Sequence, residues 1–356
     1  MSHDQLSRPR SRRSVLVLLG AGGLTLASCS PAEDPAPAAA PSVAGSSAAA
    51  PAGAGTVRVT PRELPAGWGS GEVDGVFPRT VTHARGRTTI DRAPARVTVI
   101  STGQMDAALT VGLVPVGSTA GDGAGTVPAY LEEAFPASAA ALEAVVELGG
   151  RTEPNLEALA ALAPDLILVN AAGQDTGQLH TTLSAIAPTV VTRGTGLYWK
   201  QDFQLLADAL GRREQAQDWL AGHHERAAAL GSRFTDAPTV SFLRKNGDRV
   251  RVFGVASFSG SVAEDAGLPR PQVQSFTDDT SRDISLEELP LADGDYLFYS
   301  AQGGDEAEFT SLPLWPTIPV VGAGRAVEVD DDTFYLNAGP TAARRVLDQL
   351  ETTLAT

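Results

Sequence analysis

From residue 80 onward, apolar positions alternate in short runs and then recur at helical spacing, so the chain reads as strand, helix, strand, repeated. Val81-Thr82-His83, then Gly86, then Thr88-Thr89-Ile90 predict a hairpin over 80–90, and 96–100 predicts an apolar strand. Met105, Leu109 and Val111 predict a helix over 103–111, with a second strand at 114–117. This rhythm is that of a parallel α/β sheet. A short strand follows at 189–192. Residues 198–210 and 213–234 read as helices separated by Gly211, the second carrying Trp219, Leu220, Ala227 and Leu230 on one stripe. At about 1.5 Å per residue the second helix would be about 33 Å long, enough to cross between lobes. Strands at 239–243, 249–253 and 326–329 and a closing helix over 341–354 complete the pattern.

Two stretches echo each other without a gap. Asn155-Leu156-Glu157-Ala158-Leu159 leads to Asp165-Leu166-Ile167-Leu168-Val169-Asn170, and Ser285-Leu286-Glu287-Glu288-Leu289 leads to Asp295-Tyr296-Leu297-Phe298-Tyr299-Ser300. In each, a capping residue starts a short helix, Leu at the second and fifth positions is expected to pack inward, and a break at Pro164 or Gly294 precedes an Asp and an apolar strand. The expected fold is therefore α/β, with two α/β lobes joined by a single long backbone helix and a ligand cleft between the lobes. The expected divisions are 1–28 as signal peptide, 29–75 as lipidated Cys and disordered tether, 76–197 as N-terminal lobe, 198–234 as linking helices and 235–356 as C-terminal lobe.

The amino-terminal end changes the picture of where such a domain works. Arg8, Arg10, Arg12 and Arg13 precede an apolar run from Val15 to Ala27 that is shorter than the roughly 20 residues a bilayer span needs. Leu26-Ala27-Ser28-Cys29 resembles a bacterial lipobox, and Ser11-Arg12-Arg13-Ser14-Val15-Leu16, with Arg12 and Arg13, resembles a twin-arginine export signal. Cys29 is the single cysteine, so no intramolecular disulfide is available. After it, Ala, Pro, Gly and Ser dominate to about Gly55, and the stretch to Gly75 stays Gly- and Pro-rich, with Leu64 and Trp68 able to pack on the folded part.

The net charge of −15 argues against nucleic acid and against broad polyanions. Five histidines, His3, His83, His180, His223 and His224, show no metal-ligand spacing, and Asp330-Asp331-Asp332 lacks the loop spacing of a calcium site. An α/β cleft also suits an enzyme. However, the glycine–serine stretch 254–260 does not match a nucleophile elbow, and Gly121-Asp122-Gly123-Ala124-Gly125 lacks the lysine of a phosphate loop. A surface lipoprotein with a degenerate cleft is the third class.

Several segments resemble the iron-siderophore substrate-binding lipoproteins of ABC importers, ferric-hydroxamate-binding type. They are Phe77-Pro78-Arg79-Thr80, Gly149-Gly150-Arg151-Thr152-Glu153-Pro154-Asn155-Leu156-Glu157, Ile284-Ser285-Leu286-Glu287, Pro313-Leu314-Trp315 and Asp331-Asp332-Thr333-Phe334-Tyr335-Leu336-Asn337. The resemblance implies two lobes on one backbone helix with little closure, and capture of a ferric siderophore, hydroxamate favoured. The ligand itself carries the Fe3+, so no cofactor or protein-held metal is expected; cobalamin or haem binding by the same fold is the alternative. It implies that Arg151 meets the chelating oxygens, its other role being to tie the loop through Glu153, and that Arg244 is a second ligand-facing cation. Tyr198, Trp199, Phe253, Phe258, Phe334 and Tyr335 are aromatics for ligand or core, and Asn337 a donor or turn cap. Glu157 and Glu287 would dock on the permease, or only complement their helix dipoles. The implied partners are a ferric siderophore, an ABC permease and, through the lipid alone, the membrane. The implied protein is a monomer, not an enzyme, on the outer face of the bacterial cytoplasmic membrane.

Overall fold

A computed structural model describes residues 58–101, 103–121, 125–171, 176–194 and 196–355. Arg12, Arg13 and Cys29 lie outside the described residues.

Most of the first lobe is a six-stranded sheet. Its elements are β3 (Val97–Ile100), α1 (Gln104–Thr110), β4 (Gly117–Ala120), α2 (Ala129–Ala134), α3 (Ala139–Glu143), β5 (Val146–Gly150), β6 (Glu153–Pro154), α4 (Leu156–Ala161), β7 (Leu166–Asn170), α5 (Thr176–Ser184) and β8 (Thr189–Thr192). They follow a hairpin of β1 (Arg79–His83) and β2 (Gly86–Ile90). The strand order is β6-β5-β4-β3-β7-β8, parallel except for β6. All residues of β3, β7 and β8 are buried, as expected of parallel strands covered on both faces. Because the order runs outward in both directions from β3 and β7, the loops after these two strands diverge and leave a crevice at their carboxyl ends. The second strand sits later than the apolar run 114–117 suggests, since Gly112 (φ 79°) turns the chain after α1 and pairing starts at Val116, whose N–H donates to Val97 O at 2.8 Å.

Two helices follow, α6 (Trp199–Ala209) and α7 (Arg213–Gly231). With 19 residues, α7 is shorter than the sequence pattern suggests, about 28 Å, and it packs on α6 and on helices of the second lobe. That lobe contains β9 (Val240–Asn246), β10 (Arg249–Phe253), α8 (Phe258–Asp265), β11 (Ser281–Ile284), β12 (Tyr296–Ala301), α9 (Ala307–Thr310), α10 (Pro319–Gly322), β13 (Ala326–Glu328) and α11 (Pro340–Leu354). The order is β11-β10-β9-β12-β13, with β9, β12 and β13 parallel and the β10–β11 side antiparallel. Trp315 packs against Tyr299 and Phe309 in this lobe's own core.

The sequence echo has a structural counterpart. β7 and β12 each lie between two parallel neighbours. The Asp before each strand ties down the start of the strand beside it: Asp165 accepts from the N–H of Ala95 and Arg96 at 2.9 Å each, and Asp295 from the N–H and hydroxyl of Thr239 at 2.8 Å each. Leu159 and Leu289 are fully buried, but Leu286 is 47 % exposed, so only the fifth-position Leu packs inward in both copies. The second copy is a 3-10 turn because Pro290 interrupts it, held by a Ser285–Glu288 capping box.

One core cluster runs through both lobes and the helices between them. Asp106 of α1 accepts from the N–H of Thr341 (2.9 Å) and Ala342 (3.0 Å), capping α11 of the other lobe, and a Cβ at Gly339 would overlap its carboxylate. Residues 58–75, expected as tether, lie on the domain instead. Glu264 accepts from the N–H of Thr60 (3.0 Å), Arg62 meets Asp265 at 2.8 Å, and Asp208 accepts from Ser70 N–H at 2.6 Å. Leu64 and Trp68 pack on the core as expected, and the polar contacts hold the rest, which a scarcity of apolar residues did not reveal.

Candidate functional site

A cavity of about 270 Å³ opens between the lobes. On the first lobe it is lined from strand ends: Ser101, Gly103 and Gln104 after β3, Asn170 ending β7, Thr192 ending β8 and Gly194 just after it. Arg151 reaches it from the turn between β5 and β6, just after Gly149 (φ 77°) bends the end of β5 through the left-handed region. On the second lobe the lining is different. Arg251 and Phe253, two apart on β10 and so on one face, line it with Thr280 and Ser281 of the facing β11 segment. Phe258 at the start of α8, and Phe334, Tyr335 and Asn337 from the wide turn before α11, complete the wall. Gly196 allows the two lobes to close at the base, since a Cβ there would collide with the backbone of Phe258.

The aromatic residues divide between wall and core. Phe253 and Tyr335 rings lie 4.9 Å apart, and the Tyr335 hydroxyl donates to Phe298 O at 2.8 Å; burial and the nearby Asp331 charge push its phenol above the usual range. Phe334 stacks on Phe298 and also meets the core. Trp199 lines the cavity yet is 2 % exposed; its Nε1 donates to Ser261 Oγ at 2.8 Å, and its ring packs edge-on to Trp219, His223 and Phe258. Tyr198 does not line the cavity, because its ring sits under the Arg193 guanidinium at 4.6 Å. Asn337 lines it, but its amide nitrogen is turned to Asp332 O at 3.2 Å, as a turn cap.

The expected second arginine is displaced by one strand. Arg244 is 3 % exposed and held by two bonds to Asp331, at 2.6 and 2.7 Å, so it does not reach the cavity. Its cross-strand partner on β10 is Arg251, which does. Arg244 is neutralised by Asp331 and Arg249 by Asp283, whereas among the described residues no carboxylate lies within ion-pair distance of Arg251, whose Nε is buried without a partner. Burial and the charges of Arg244 and Arg249 pull its pKa below the usual guanidinium value. Such a cation gains most from an arriving anion. The alternation Arg249-Val250-Arg251-Val252-Phe253 is the sequence signal that would have paired Arg251 with Phe253 on one face.

Asp202, on the first turn of α6, is the carboxylate among the described lining residues. Its oxygens accept from the N–H of Arg193 (2.9 Å) and Gly194 (2.8 Å), yet burial still pushes its pKa up to about 7. Glu157 and Glu287 stand away from the cavity, both exposed, on the first turns of α4 and of the 3-10 turn Leu286–Ala292. Among the described residues no group of three His, Cys, Asp or Glu is placed to hold a metal ion.

Comparison with known proteins bears on this arrangement. A probable siderophore-binding lipoprotein of Bacillus subtilis is 32% identical over 301 residues, 79% of this chain and 89% of the relative. An Fe(3+)-citrate-binding protein of the same organism is 26% identical over 302 residues, with the same coverage, 79% and 89%. Among solved structures, Staphylococcus aureus SirA complexed with staphyloferrin B superposes with a TM-score of 0.65 at 25% identity, over 78% of this chain and 98% of that one. The profile of the periplasmic binding proteins matches residues 117–333. With that match extending from β4 of the first lobe to beyond β13 of the second, and a 32% identical relative covering 79% of the chain, the chain belongs to the periplasmic binding protein family.

Proposed function

We propose that the protein is an extracytoplasmic receptor that captures a ferric siderophore between its lobes and delivers it to an ABC importer. The observation that carries this reading is the pair Arg151 and Arg251, one from each lobe, at an aromatic-walled cavity. A siderophore already surrounds ferric iron with oxygen donors, so the receptor needs cations for those oxygens and apolar surface for the rest, not metal ligands of its own. The guanidinium offers planar, fixed donors suited to a chelate's oxygens. The names of the B. subtilis relatives and the ligand of the S. aureus structure support the same class.

Arg151 alone suits a hydroxamate, the class favoured from the sequence. Arg251, half-buried beside two other arginines, favours a second reading within the class, a chelate that carries negative charge at its surface, as carboxylate siderophores do. Cobalamin and haem remain rivals for the same fold, and we read the protein as a receptor and not an enzyme. Lipid attachment at Cys29 to the outer face of the cytoplasmic membrane, a monomeric state, and permease docking through Glu157 and Glu287 belong to the same proposal. The two glutamates are supported by their exposure at corresponding positions of the echo.

The test is tryptophan-fluorescence titration of the purified protein with ferric citrate, staphyloferrin-type, hydroxamate and catecholate chelates, haem and cobalamin. Saturable quenching by a ferric chelate is expected, through Trp199 at the cavity wall. Response to haem or cobalamin alone would replace the reading. In cells, Glu157→Ala with Glu287→Ala should spare binding and abolish uptake of the bound chelate; unimpaired uptake would remove the docking role.

A further inference from the structure

The first-lobe floor of the cavity carries hydrogen-bond acceptors that the arginine contacts leave unexplained. Gln104, 4 % exposed, donates through Nε2 to Thr192 Oγ1 at 2.8 Å, while its Oε1 is buried and has no partner among the described residues. Asp202 binds the next two residues of the same strand end, Arg193 and Gly194, with one backbone N–H on each carboxylate oxygen. Each of those oxygens has a second lone pair left. Gln104 and Asp202 are thus fixed to three consecutive residues, 192 to 194, and both line the cavity. Leaving a buried acceptor unmade costs its full desolvation, and an apolar side chain in place of Gln104 would avoid it. An acceptor kept there at that cost is accounted for by a ligand donor.

Resting on the receptor reading above, we propose that Gln104 Oε1 and the Asp202 carboxylate form a subsite for an N–H-bearing group of the ligand, an ammonium or amide. Arg151 and Arg251 hold the ligand's anionic oxygens. The substrate class is then a ferric chelate with acidic groups on one side and a nitrogen donor on the other, presented so that the donor enters toward the ends of β3 and β8. A chelate without a nitrogen donor leaves the Gln104 oxygen as it is in the empty cleft and binds more weakly.

Two probe pairs test this by fluorescence titration at pH 8. One is ferric citrate against the ferric complex of the citrate monoamide of 1,2-diaminoethane; the other is ferrioxamine B against its N-acetyl derivative, which lacks the ammonium. In whichever pair binds, the ammonium-bearing member is expected to bind about tenfold or more tightly. Gln104→Leu and Asp202→Asn should bring the ratio toward parity, and Gln104→Glu, which keeps an acceptor, should retain it. Equal affinities within a pair that binds overturn the subsite and leave the receptor reading standing. A preference that survives both Gln104→Leu and Asp202→Asn overturns the assignment to these residues. No saturable binding by any of the four chelates overturns the subsite, while the receptor reading is decided separately by the staphyloferrin-type, catecholate, haem and cobalamin titrations above.

Discussion

In the first lobe the cavity is reached from the carboxyl ends of parallel strands, whereas in the second it lies against the face of an antiparallel pair, β10 and β11. The difference decides which arginine can act on a ligand. A strand end presents loops, so Arg151 and the segment 192–194 come to the cleft by position. A sheet face presents every second residue, so Arg251 and Phe253 face the cavity together while Val250 and Val252 pack into the lobe. Arg244, within β9 between β10 and β12, is a structural residue, clamped to Asp331.

Replacing Arg244 should therefore produce the largest effect on stability. Its side chain and that of Asp331 are 4 % and 13 % exposed, so Arg244→Ala leaves a carboxylate buried without its counter-ion. A loss of about 3–5 kcal/mol in urea unfolding is expected, with affinity of the folded protein for its chelate kept within about threefold. A loss of affinity with stability intact would place Arg244 in the binding site and undo the contrast between the lobes.

Arg251→Ala should behave in the opposite way. It removes a cation with no ion-pair partner among the described residues, so the urea midpoint should hold or rise. Binding of an anionic ferric chelate should weaken roughly 10- to 100-fold, about 1.4–2.8 kcal/mol. A neutral ferric hydroxamate should lose less. Equal losses for the two classes would remove the charge argument for the second reading.

What was legible in the sequence follows the same division. Strand and helix periods located most elements, and the echo of Asn155–Asn170 with Ser285–Ser300 located the paired lobes, down to the Asp that ties each strand to its neighbour. Those signals are local. The expectation at Arg244 failed because it rested on position alone: β9 runs on through Asn246, and Asn246-Gly247-Asp248 is the local hairpin signal that folds β10 back antiparallel and would have put Arg251 opposite Arg244. Tyr198 misled for a similar reason: its position before a helix was right, but Arg193, five residues earlier, covers its ring. Gln104 and Asp202 were missed because their meaning depends on Thr192, Arg193 and Gly194, brought to them only by the sheet. In the segment 58–75 the packing of Leu64 and Trp68 was legible, but the polar anchoring was not, because the carboxylates that hold it, Asp208, Glu264 and Asp265, lie far along the chain.

The smallest effect expected is on the first-lobe side, where Asp202 makes stability depend on pH. Its carboxyl ordinarily titrates at 3.8 and is pushed up to about 7 by burial, so between those values the folded state holds a proton the unfolded state has released. Stability from this group is then greatest below pH 4 and declines as pH rises through about 7. The buried histidines act with opposite sign. His83, lowered from 6.5 to about 4 by burial and by His180, favours the folded state above pH 6.5 and loses that advantage as pH falls toward 4. The two are separated by taking the difference between wild type and Asp202→Asn, in which the histidine contribution cancels. That difference should move by about 1–2 kcal/mol in favour of the variant between pH 4.5 and 7.5, less than the full shift implies because the carboxylate also meets the water of the cavity. The measurement is a set of urea midpoints across this range for both proteins. A difference that stays flat would mean that Asp202 is already ionised in the empty cleft, and an ammonium arriving there would then meet a ready carboxylate instead of having to displace its proton.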